Sequence, residues 1–141
     1  MYLSVIIPAY NEEKRITKTL LSIFSYLGKK PFEWEIIVVN DGSQDKTAEV
    51  ILDLKQKVKN LILINNNENH GKGYVVRQGL LKAQGKYRLF TDADNSTPIS
   101  ELDKLLPYLG KFDIVIASRS INGSKIKKFQ PFLQKIFRHF V

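Results

Sequence analysis

Two aspartates separated by one residue, Asp92 and Asp94, follow an apolar run that is typical of a buried strand. Carboxylates are hard oxygen ligands, and a pair at this spacing suits Mg²⁺ or Mn²⁺ bridging a diphosphate. An Asp-rich turn before the helix that follows Pro98 is the alternative explanation. The position at a strand end, together with the polar clusters described next, favours the metal-ligand interpretation.

Polar clusters also follow two other strand-like runs, at residues 8–12 (PAYNE) and 40–43 (NDGS). Tyr10 can stack on a base, and Glu12 can bond a ribose. Asp41 can accept hydrogen bonds from a nucleobase or a ribose. The alternatives are helix-start chemistry for Glu12 and a simple turn for Asp41, since Asp-Gly is a common turn dipeptide.

A glycine-flexed basic loop at residues 70–73 (HGKG) opens a predicted helix, and Arg77 lies one turn further on. Such a loop can present backbone N–H groups and a cation to a phosphate. It lacks the spacing of a Walker A motif and the Ser or Thr that follows the Lys there. A flexible loop with a solvated Lys72 is the alternative. Arg119, at the end of another strand-like run, is either a phosphate clamp or an ordinary surface residue.

These residues need a scaffold that brings strand ends together, and the chain alternates short strand-like runs with helical periodicity. The strand-like runs are residues 3–8, 35–40, 61–65, 87–91 and 113–118. Their apolar positions are near-continuous, which is typical of strands buried on both faces. The alternation predicts an α/β fold with a Rossmann-like, mostly parallel sheet and flanking helices. Ligands bind beyond the carboxyl ends of such strands, where the three polar clusters converge.

Helical spacing predicts helices between Asn11 and Gly28, over residues 46–59, between Gly73 and Gly85, and after Pro98. Asn11 is the predicted N-cap of the first helix, and Ser43 or Asp45 that of the second. A core position is expected for five aromatic side chains: Phe24, Phe32, Trp34, Phe90 and Phe112.

The composition excludes several classes of protein. The chain has 141 residues, a formal net charge of +8, 43% hydrophobic residues and no cysteine. The hydrophobic fraction is too high for a disordered chain. Without cysteine there is no disulfide scaffold, thiolate nucleophile or Cys-ligated metal. The length fits one domain over residues 1–141.

The positive charge is concentrated near the C-terminus. Residues 1–113 carry 16 basic and 14 acidic side chains, whereas residues 114–141 carry six basic ones and no acidic one. The basic amphipathic segment 121–141 is either an interfacial membrane helix or a core-packing helix with a solvated face; its phenylalanines favour the first. No signal peptide or membrane-spanning stretch is recognisable, so we expect a cytoplasmic protein that is peripheral at the cytoplasmic membrane face.

Five segments, in their order and spacing, resemble the inverting nucleotide-sugar glycosyltransferases of GT-A fold. They are VIIPAYNEE, IIVVNDGSQDKT, NHGKGYVVRQGL, GKYRLFTDADNSTP and DIVIASR. The GKG-x-x-x-R block, the DADNSTP run and the SRS…QP segment look most like polyprenyl-phosphate (dolichyl-phosphate) beta-glucosyltransferases. Members of that family continue past the equivalent of Val141, so the resemblance implies a C-terminally truncated chain that holds the donor half.

The resemblance also implies a reaction and a role for each motif residue. A sugar, glucose, would move from a UDP donor to a polyprenyl-phosphate lipid, with Mg²⁺ or Mn²⁺ neutralising the leaving diphosphate. Asp92 and Asp94 would be the catalytic and metal-binding pair, with Asp92 also on the ribose or sugar. The substrate-binding residues would be Pro8, Ala9, Tyr10 and Glu12 around the nucleoside, Asp41 on the base, and Lys72, Arg77 and Arg119 near phosphates.

Two other functions remain open from the sequence: glycosyl transfer to a glycan or another soluble acceptor, and nucleotide binding without turnover. A nucleic-acid partner is not expected, because the basic residues flank a nucleotide-type pocket and no nucleic-acid-binding motif is present. The expected partners are a nucleotide-sugar donor, a polyprenyl-phosphate acceptor and an anionic membrane surface.

Overall fold

Four parallel strands form the sheet on which the fold is built. The computed structural model describes residues 1–117, which divide into a compact unit over Met1–Lys104 and the beginning of a second unit at Leu105. The strands of the first unit are β1 (Leu3–Ala9), β2 (Trp34–Asp41), β3 (Leu61–Asn66) and β4 (Tyr87–Phe90). The sequence predicted each of them to within a residue at either end.

The strand order is β3-β2-β1-β4. β1 pairs in parallel with β2, where Ala9 lies opposite Asn40, and with β4, where Ile6 lies opposite Phe90. The order changes direction at β1, so the crevice between the carboxyl ends of β1 and β4 is the topological switch point at which such sheets bind ligands. The predicted α/β fold with a parallel sheet is confirmed.

Three helices follow the first three strands: α1 (Ile16–Leu27), α2 (Thr47–Leu54) and α3 (Lys72–Lys82). α1 buries Ile16, Leu20, Ile23 and Leu27, which recur at the spacing of one helical face. Within residues 1–117, no helix has the length and hydropathy needed to cross a bilayer.

α3 packs closely on β1 and β2, the two central strands. Val75 and Gly79 are its buried residues. A Cβ atom added to Gly79 would lie 2.5 Å from Cγ2 of Ile6 and 3.1 Å from Cγ2 of Val39. The glycine therefore allows the helix to approach the strands whose ends carry the polar clusters.

The predicted N-cap of α1 is wrong. The helix begins at Ile16, and Asn11 has a left-handed φ of 54°. The Asn11 N–H donates to Ser43 Oγ at 2.9 Å, and Asn11 Oδ1 accepts the N–H of Gln44 at 2.9 Å. The side chain expected to cap the helix instead joins the loop after β1 to the loop after β2.

The N-cap of α2 is Lys46, so the predicted caps, Ser43 and Asp45, are both wrong, but Asp45 holds the beginning of the helix from the preceding position. Its Oδ1 accepts the N–H of Thr47 at 2.9 Å and also the Thr47 hydroxyl, and its Oδ2 accepts the N–H of Glu13 at 3.2 Å. Burial raises the pKa of the Asp45 carboxyl, but these hydrogen bonds outweigh burial and bring the pKa below its usual 3.8.

α2 is shorter than predicted and ends at Leu54. The N–H of Lys55 is shared between the carbonyls of Ile51 and Leu52, at 3.2 Å from each. The bond to Leu52 is of the 3₁₀ type and tightens the last turn of the helix.

The helix predicted after Pro98 is divided. A 3₁₀ turn over Ile99–Glu101 leads into α4 (Leu102–Leu105), and a second 3₁₀ turn covers Leu106–Tyr108. Pro107 explains the division, because proline lacks the N–H that a continuing α-helix would need.

The predicted fifth strand is absent from the described part of its range. Residues 113–117 lie in no strand, and Ile114 and Ile116 are 79% and 76% exposed. A strand needs a hydrogen-bonded neighbour, and none within residues 1–117 pairs with this segment. Its β-branched residues favour the extended conformation of a strand, but they do not supply a second strand to which it could hydrogen-bond.

The predicted aromatic core is right only in part. Trp34 is buried and lies edge-on to Phe24, with ring centroids 5.8 Å apart, while Phe32 is half-buried. Phe90 and Phe112 are 51% and 63% exposed. Phe90 ends β4, the outermost strand of the sheet within residues 1–117, and only alternate side chains of a strand face the covered side of a sheet.

A buried carboxylate, Glu35, lies near the amino ends of β1 and β2, opposite the carboxyl ends that carry the polar clusters. Glu35 Oε1 accepts the Ser4 hydroxyl at 2.5 Å and the N–H of Gln84 at 2.8 Å, and the Gly85 N–H donates to Ser4 Oγ at 2.8 Å. This network fixes the turn between α3 and β4, and it thereby sets the start of β4.

Two glycines of α3 should respond oppositely to the same change. We expect Gly79→Ala to destabilise the fold by about 1–3 kcal/mol, because the new methyl group overpacks against Ile6 and Val39. Gly73→Ala is the control: a Cβ there meets no atom within 4 Å. Alanine favours the helix, so this variant should be neutral or up to about 1 kcal/mol more stable. Urea unfolding measures both, and equal stability of the two variants would contradict the packing described for α3.

Asp45 should make stability depend on pH. Because its pKa is lowered in the folded state, its contribution is fully present above the unfolded-state pKa and is lost as the pH falls through the folded-state pKa. The wild type should exceed Asp45→Asn in unfolding free energy at about pH 6, and the gap should close by about pH 2. Asp53→Asn, on the exposed side of α2, is the charge-matched control. A gap that is the same at both pH values would refute this role of Asp45.

Candidate functional site

A cleft of about 450 Å³ lies at the carboxyl edge of the sheet, between the ends of β1, β2 and β4. Its walls come from the ends of β1 and β2, from the loops after β1, β3 and β4, and from the beginning of α3. The lining residues are Pro8, Ala9, Tyr10, Glu12, Asp41, Asn69, Gly71, Lys72, Val75, Asp92, Ala93 and Asp94. A cleft that combines apolar wall residues with a few convergent charged groups is typical of a small-molecule site.

An ion pair spans one side of the cleft. Lys72 Nζ lies 2.5 Å from Asp92 Oδ1, and both side chains are more than half exposed. The ammonium group also lies 5.9 Å from the centroid of the Phe90 ring. Lys72 thus places a cation beside the carboxylates. A phosphate group that enters the cleft could replace Asp92 as the partner of Lys72.

The loop that carries the two aspartates is tied to α1. The buried hydroxyl of Thr19 donates to the carbonyl of Ala93 at 2.6 Å. Asp94 Oδ1 accepts the N–H of Ser96 at 2.8 Å, which closes a tight turn after the pair. The backbone between Asp92 and Asp94 is therefore held in place from the helix side.

Asp41, the last residue of β2, is 3% exposed. Its Oδ1 accepts the N–H of His70 at 2.8 Å, and its Oδ2 accepts the N–H of Gly71 at 2.9 Å. A buried carboxylate needs such donors, because burial without them is costly. The carboxyl end of β2 is thereby joined to the loop that leads into α3.

Gly42 makes a second contact between the same two segments. Its φ is +67°, which disfavours any residue with a side chain, and a Cβ there would overlap the backbone of Glu68. From the sequence, a simple turn was one explanation of the Asp41-Gly42 dipeptide. In the structure, both residues contact the segment of residues 68–71.

The loops after β1 and β2 are also hydrogen-bonded to each other. In addition to the bonds of Asn11 and Asp45, the N–H of Glu12 donates to Thr47 Oγ1 at 2.8 Å, and Glu13 Oε2 accepts the N–H of Lys46 at 3.0 Å. The Glu12 carboxylate forms a two-point ion pair with Arg15, at 2.7 and 2.8 Å. Tyr10, between these contacts and the cleft, is nearly half exposed.

A second cavity, of about 500 Å³, lies on the outer side of these loops. It is lined by Asn11, Glu12, Glu13, Lys14, Arg15 and Asp45. Three of these are carboxylates, and Arg15 is already paired with Glu12. The cleft is the better candidate site despite the similar volume, because it lies at the topological switch point and holds Lys72 beside Asp92 and Asp94.

The cleft brings together most of the site residues predicted from the sequence: Pro8, Ala9, Tyr10, Glu12, Asp41, Lys72, Asp92 and Asp94. Arg77 is exposed on α3 and does not line it, and Arg119 lies outside the described residues. Asn69 and Val75 were not predicted, although both belong to the segment that carried the HGKG loop. The positioning role of Thr19 had no recognisable pattern in the sequence.

The two aspartates fit a divalent metal ion that is also held by a ligand. Asp92 and Asp94 supply hard oxygen donors at one point of the cleft. Within residues 1–117, no three His, Asp or Glu side chains gather closely enough to hold a metal by themselves. Mg²⁺ takes one or two carboxylates together with substrate phosphates in such sites. The donor set therefore suits Mg²⁺ or Mn²⁺ bound jointly with a diphosphate.

A family model, described as glycosyl transferase family 2, matches residues 4–140. A dolichyl-phosphate beta-glucosyltransferase of Trichomonas vaginalis is 42% identical over an alignment 148 residues long, which covers 96% of this chain and 45% of that protein. The dolichyl-phosphate beta-glucosyltransferase of Saccharomyces cerevisiae is 40% identical, over 80% of this chain and 36% of its own length.

Solved structures show the same fold. The crystal structure of S. aureus TarS 1–349 in complex with UDP-GlcNAc has a TM-score of 0.63 and 32% identity, over 79% of this chain and 32% of that one. The mannosyltransferase PcManGT from Pyrobaculum calidifontis, in complex with GDP-Man and Mn²⁺, has a TM-score of 0.57 and 27% identity, over 65% of this chain and 27% of that one. The predicted GT-A fold is confirmed.

The chain spans less than half the length of the curated relatives named above. The match to the family model nevertheless extends over nearly the whole chain, from the first strand onward. The fold, the cleft at the switch point and this match lead to one conclusion: the chain belongs to glycosyl transferase family 2.

Proposed function

We propose that this chain binds a nucleoside diphosphate sugar and takes part in transfer of the sugar, glucose from UDP, to a polyprenyl-phosphate acceptor such as dolichyl phosphate. The observation that carries the proposal is the placement of Lys72 beside Asp92 and Asp94 in the cleft at the topological switch point. The relatives named above support the acceptor, and the neighbour bound to UDP-GlcNAc supports the class of donor.

The two ends of the cleft suit the two ends of a nucleotide sugar. Tyr10 offers a half-exposed ring for stacking on the base. Asp41 and Glu12 also line the cleft, and a carboxylate oxygen can accept a hydrogen bond from a base or a ribose in addition to the bond it already makes. Lys72, at the start of α3, supplies a cation for the diphosphate, and the first N–H groups of the helix favour an anion there.

The reaction is an in-line substitution at the anomeric carbon. An oxygen of the acceptor phosphate forms a new bond to that carbon, the bond to the donor diphosphate breaks, and the nucleoside diphosphate leaves with inverted configuration at the sugar. The acceptor oxygen is already anionic, so no strong general base is required. Lys72 stabilises the charge that develops on the leaving group. A Mg²⁺ or Mn²⁺ ion held by Asp92 and Asp94 would add further positive charge there.

The remaining basic residues are assigned to the acceptor side. Arg77 is exposed on α3, one helical turn beyond the start that carries Lys72, and it suits a phosphate that approaches from outside the cleft. Arg119 and the basic segment 121–141 lie outside the described residues, and we propose that they contact the lipid phosphate and an anionic membrane surface. These assignments correspond to a peripheral protein at the cytoplasmic membrane face.

Removing Asp94 should abolish the metal dependence of donor binding. Calorimetric titration with UDP should give affinity that rises about tenfold or more with Mn²⁺ for the wild type and stays unchanged for Asp94→Ala, because one of the two carboxylates is lost. Asp53→Ala, on the exposed side of α2, is the control and should behave like the wild type. GDP titrated in parallel identifies the base.

Two outcomes would contradict the donor site. If neither UDP nor GDP binds with or without Mn²⁺, the chain has no nucleotide site of the proposed kind. If Asp94→Ala keeps the full metal effect, the metal is held elsewhere.

Lys72 should contribute to UDP affinity through charge. A charge-assisted hydrogen bond of this type is worth about 1.5–3 kcal/mol, so Lys72→Gln should weaken UDP binding by about tenfold to a hundredfold. The loss should shrink at high salt, since the ion pair is solvent-accessible. Lys82→Gln, in the last turn of the same helix, removes the same charge away from the cleft and should have little effect. Equal weakening in both variants would show that only the overall charge matters.

A further inference from the structure

We propose that Asp41 is a positioning residue, which acts through the backbone of His70 and Gly71 to hold Lys72 at the diphosphate end of the cleft. The inference rests on the proposed donor site. It assigns to Asp41 a role that differs from the contact with a base expected from the family resemblance. The two roles make opposite predictions for a ligand that has phosphates but no base.

The geometry of Asp41 satisfies the requirements for such a role. Its backbone belongs to β2 and is fixed by pairing with Asn66 of β3. Its carboxylate is 3% exposed, and each of its two oxygens accepts one loop N–H, at 2.8 and 2.9 Å. A rigid strand end thus carries a charged acceptor that holds the loop at two adjacent residues.

The loop has little apolar support. Residues 67–69 are exposed, so they contribute little apolar burial to hold the backbone. Among the described residues, the N–H groups of His70 and Gly71 are bonded only to Asp41. Two further contacts constrain this loop: Gly42 packs on the Glu68 backbone, and the ring of His70 lies on that of Tyr74 in α3, with centroids 4.5 Å apart.

The position of the loop is passed directly to Lys72. The Gly71 carbonyl accepts the N–H groups of Tyr74 and Val75, at 3.1 and 3.3 Å, and so forms the first turn of α3. Lys72 is the next residue along the chain, and its ammonium lies on Asp92. A shift of Gly71 therefore moves the cation relative to the two aspartates.

Electrostatics alone would give the opposite result. A buried carboxylate near a diphosphate repels it, so removing the charge of Asp41 should tighten binding if the side chain had no other effect. In Asp41→Asn, one amide N–H group faces a backbone N–H in place of an acceptor, and the loop loses a hydrogen bond. Positioning therefore predicts weaker binding of phosphates in spite of the more favourable charge.

The test uses inorganic pyrophosphate with Mg²⁺ as the probe, compared with UDP by calorimetry. We expect Asp41→Asn to weaken both ligands by about fivefold to tenfold, since each depends on Lys72. Asp103→Asn, which removes the same charge from a carboxylate paired with Lys30, should leave both affinities unchanged. If Asp41→Asn weakens UDP but leaves pyrophosphate unchanged or tighter, Asp41 contacts the base only and the inference is overturned.

Hydrogen exchange provides a readout that needs no ligand. The amides of His70 and Gly71 should be protected in the wild type and should exchange about tenfold faster or more in Asp41→Asn, while the amides of β2 stay protected. Unchanged exchange in the variant would overturn the inference. If the wild type binds neither pyrophosphate nor UDP, the proposed function fails, and exchange still decides whether Asp41 holds the loop.

Gly42→Ala offers a second variant that keeps the carboxylate. The added methyl group would displace the Glu68 backbone, and the left-handed φ is unfavourable for alanine. With the fold verified by circular dichroism, this variant should also weaken pyrophosphate binding about fivefold. Wild-type affinity in Gly42→Ala would contradict the claim that the loop position controls the cation.

Discussion

Backbone N–H groups at the carboxyl edge of the sheet have no strand to pair with, and side chains must accept their hydrogen bonds. Asp41 does so for residues 70–71, Asn11 for Gln44, and Asp45 for Glu13 and Thr47. Each of these acceptors bridges two segments or holds the start of a helix. The loops of the site are therefore ordered by polar contacts rather than by an apolar core.

The cleft combines opposite charges in a way that suits a diphosphate. Without a ligand, the ammonium of Lys72 compensates the charge of Asp92. In the proposed function, a donor diphosphate would replace Asp92 as the partner of Lys72, and Asp92 and Asp94 would hold a divalent ion that the diphosphate also binds. The same residues would then explain both the proposed donor binding and the proposed metal dependence, although no described cluster of three acidic or histidine side chains holds a metal alone.

The sequence could predict four of the five expected strands, the family and most members of the cleft, because continuous apolar runs and polar strand ends are local patterns. Asn11 was misassigned because its bonds to residues 43–44 depend on a loop distant in sequence. Phe90 was expected in the core because composition does not reveal that β4, among the residues the structure describes, has a neighbouring strand on one side only. The contacts of Asp41 with residues 70–71 required the fold, since pairing across the sheet brings β2 beside the loop before α3.

The most direct test of the account is NMR chemical-shift mapping of backbone amides on addition of UDP with Mg²⁺. The account predicts the largest shifts at Tyr10, Gly71, Lys72 and Ala93, which line the cleft. Shifts confined to Lys14, Arg15 and Asp45 would place the ligand in the outer cavity. That result would contradict the assignment of the donor site.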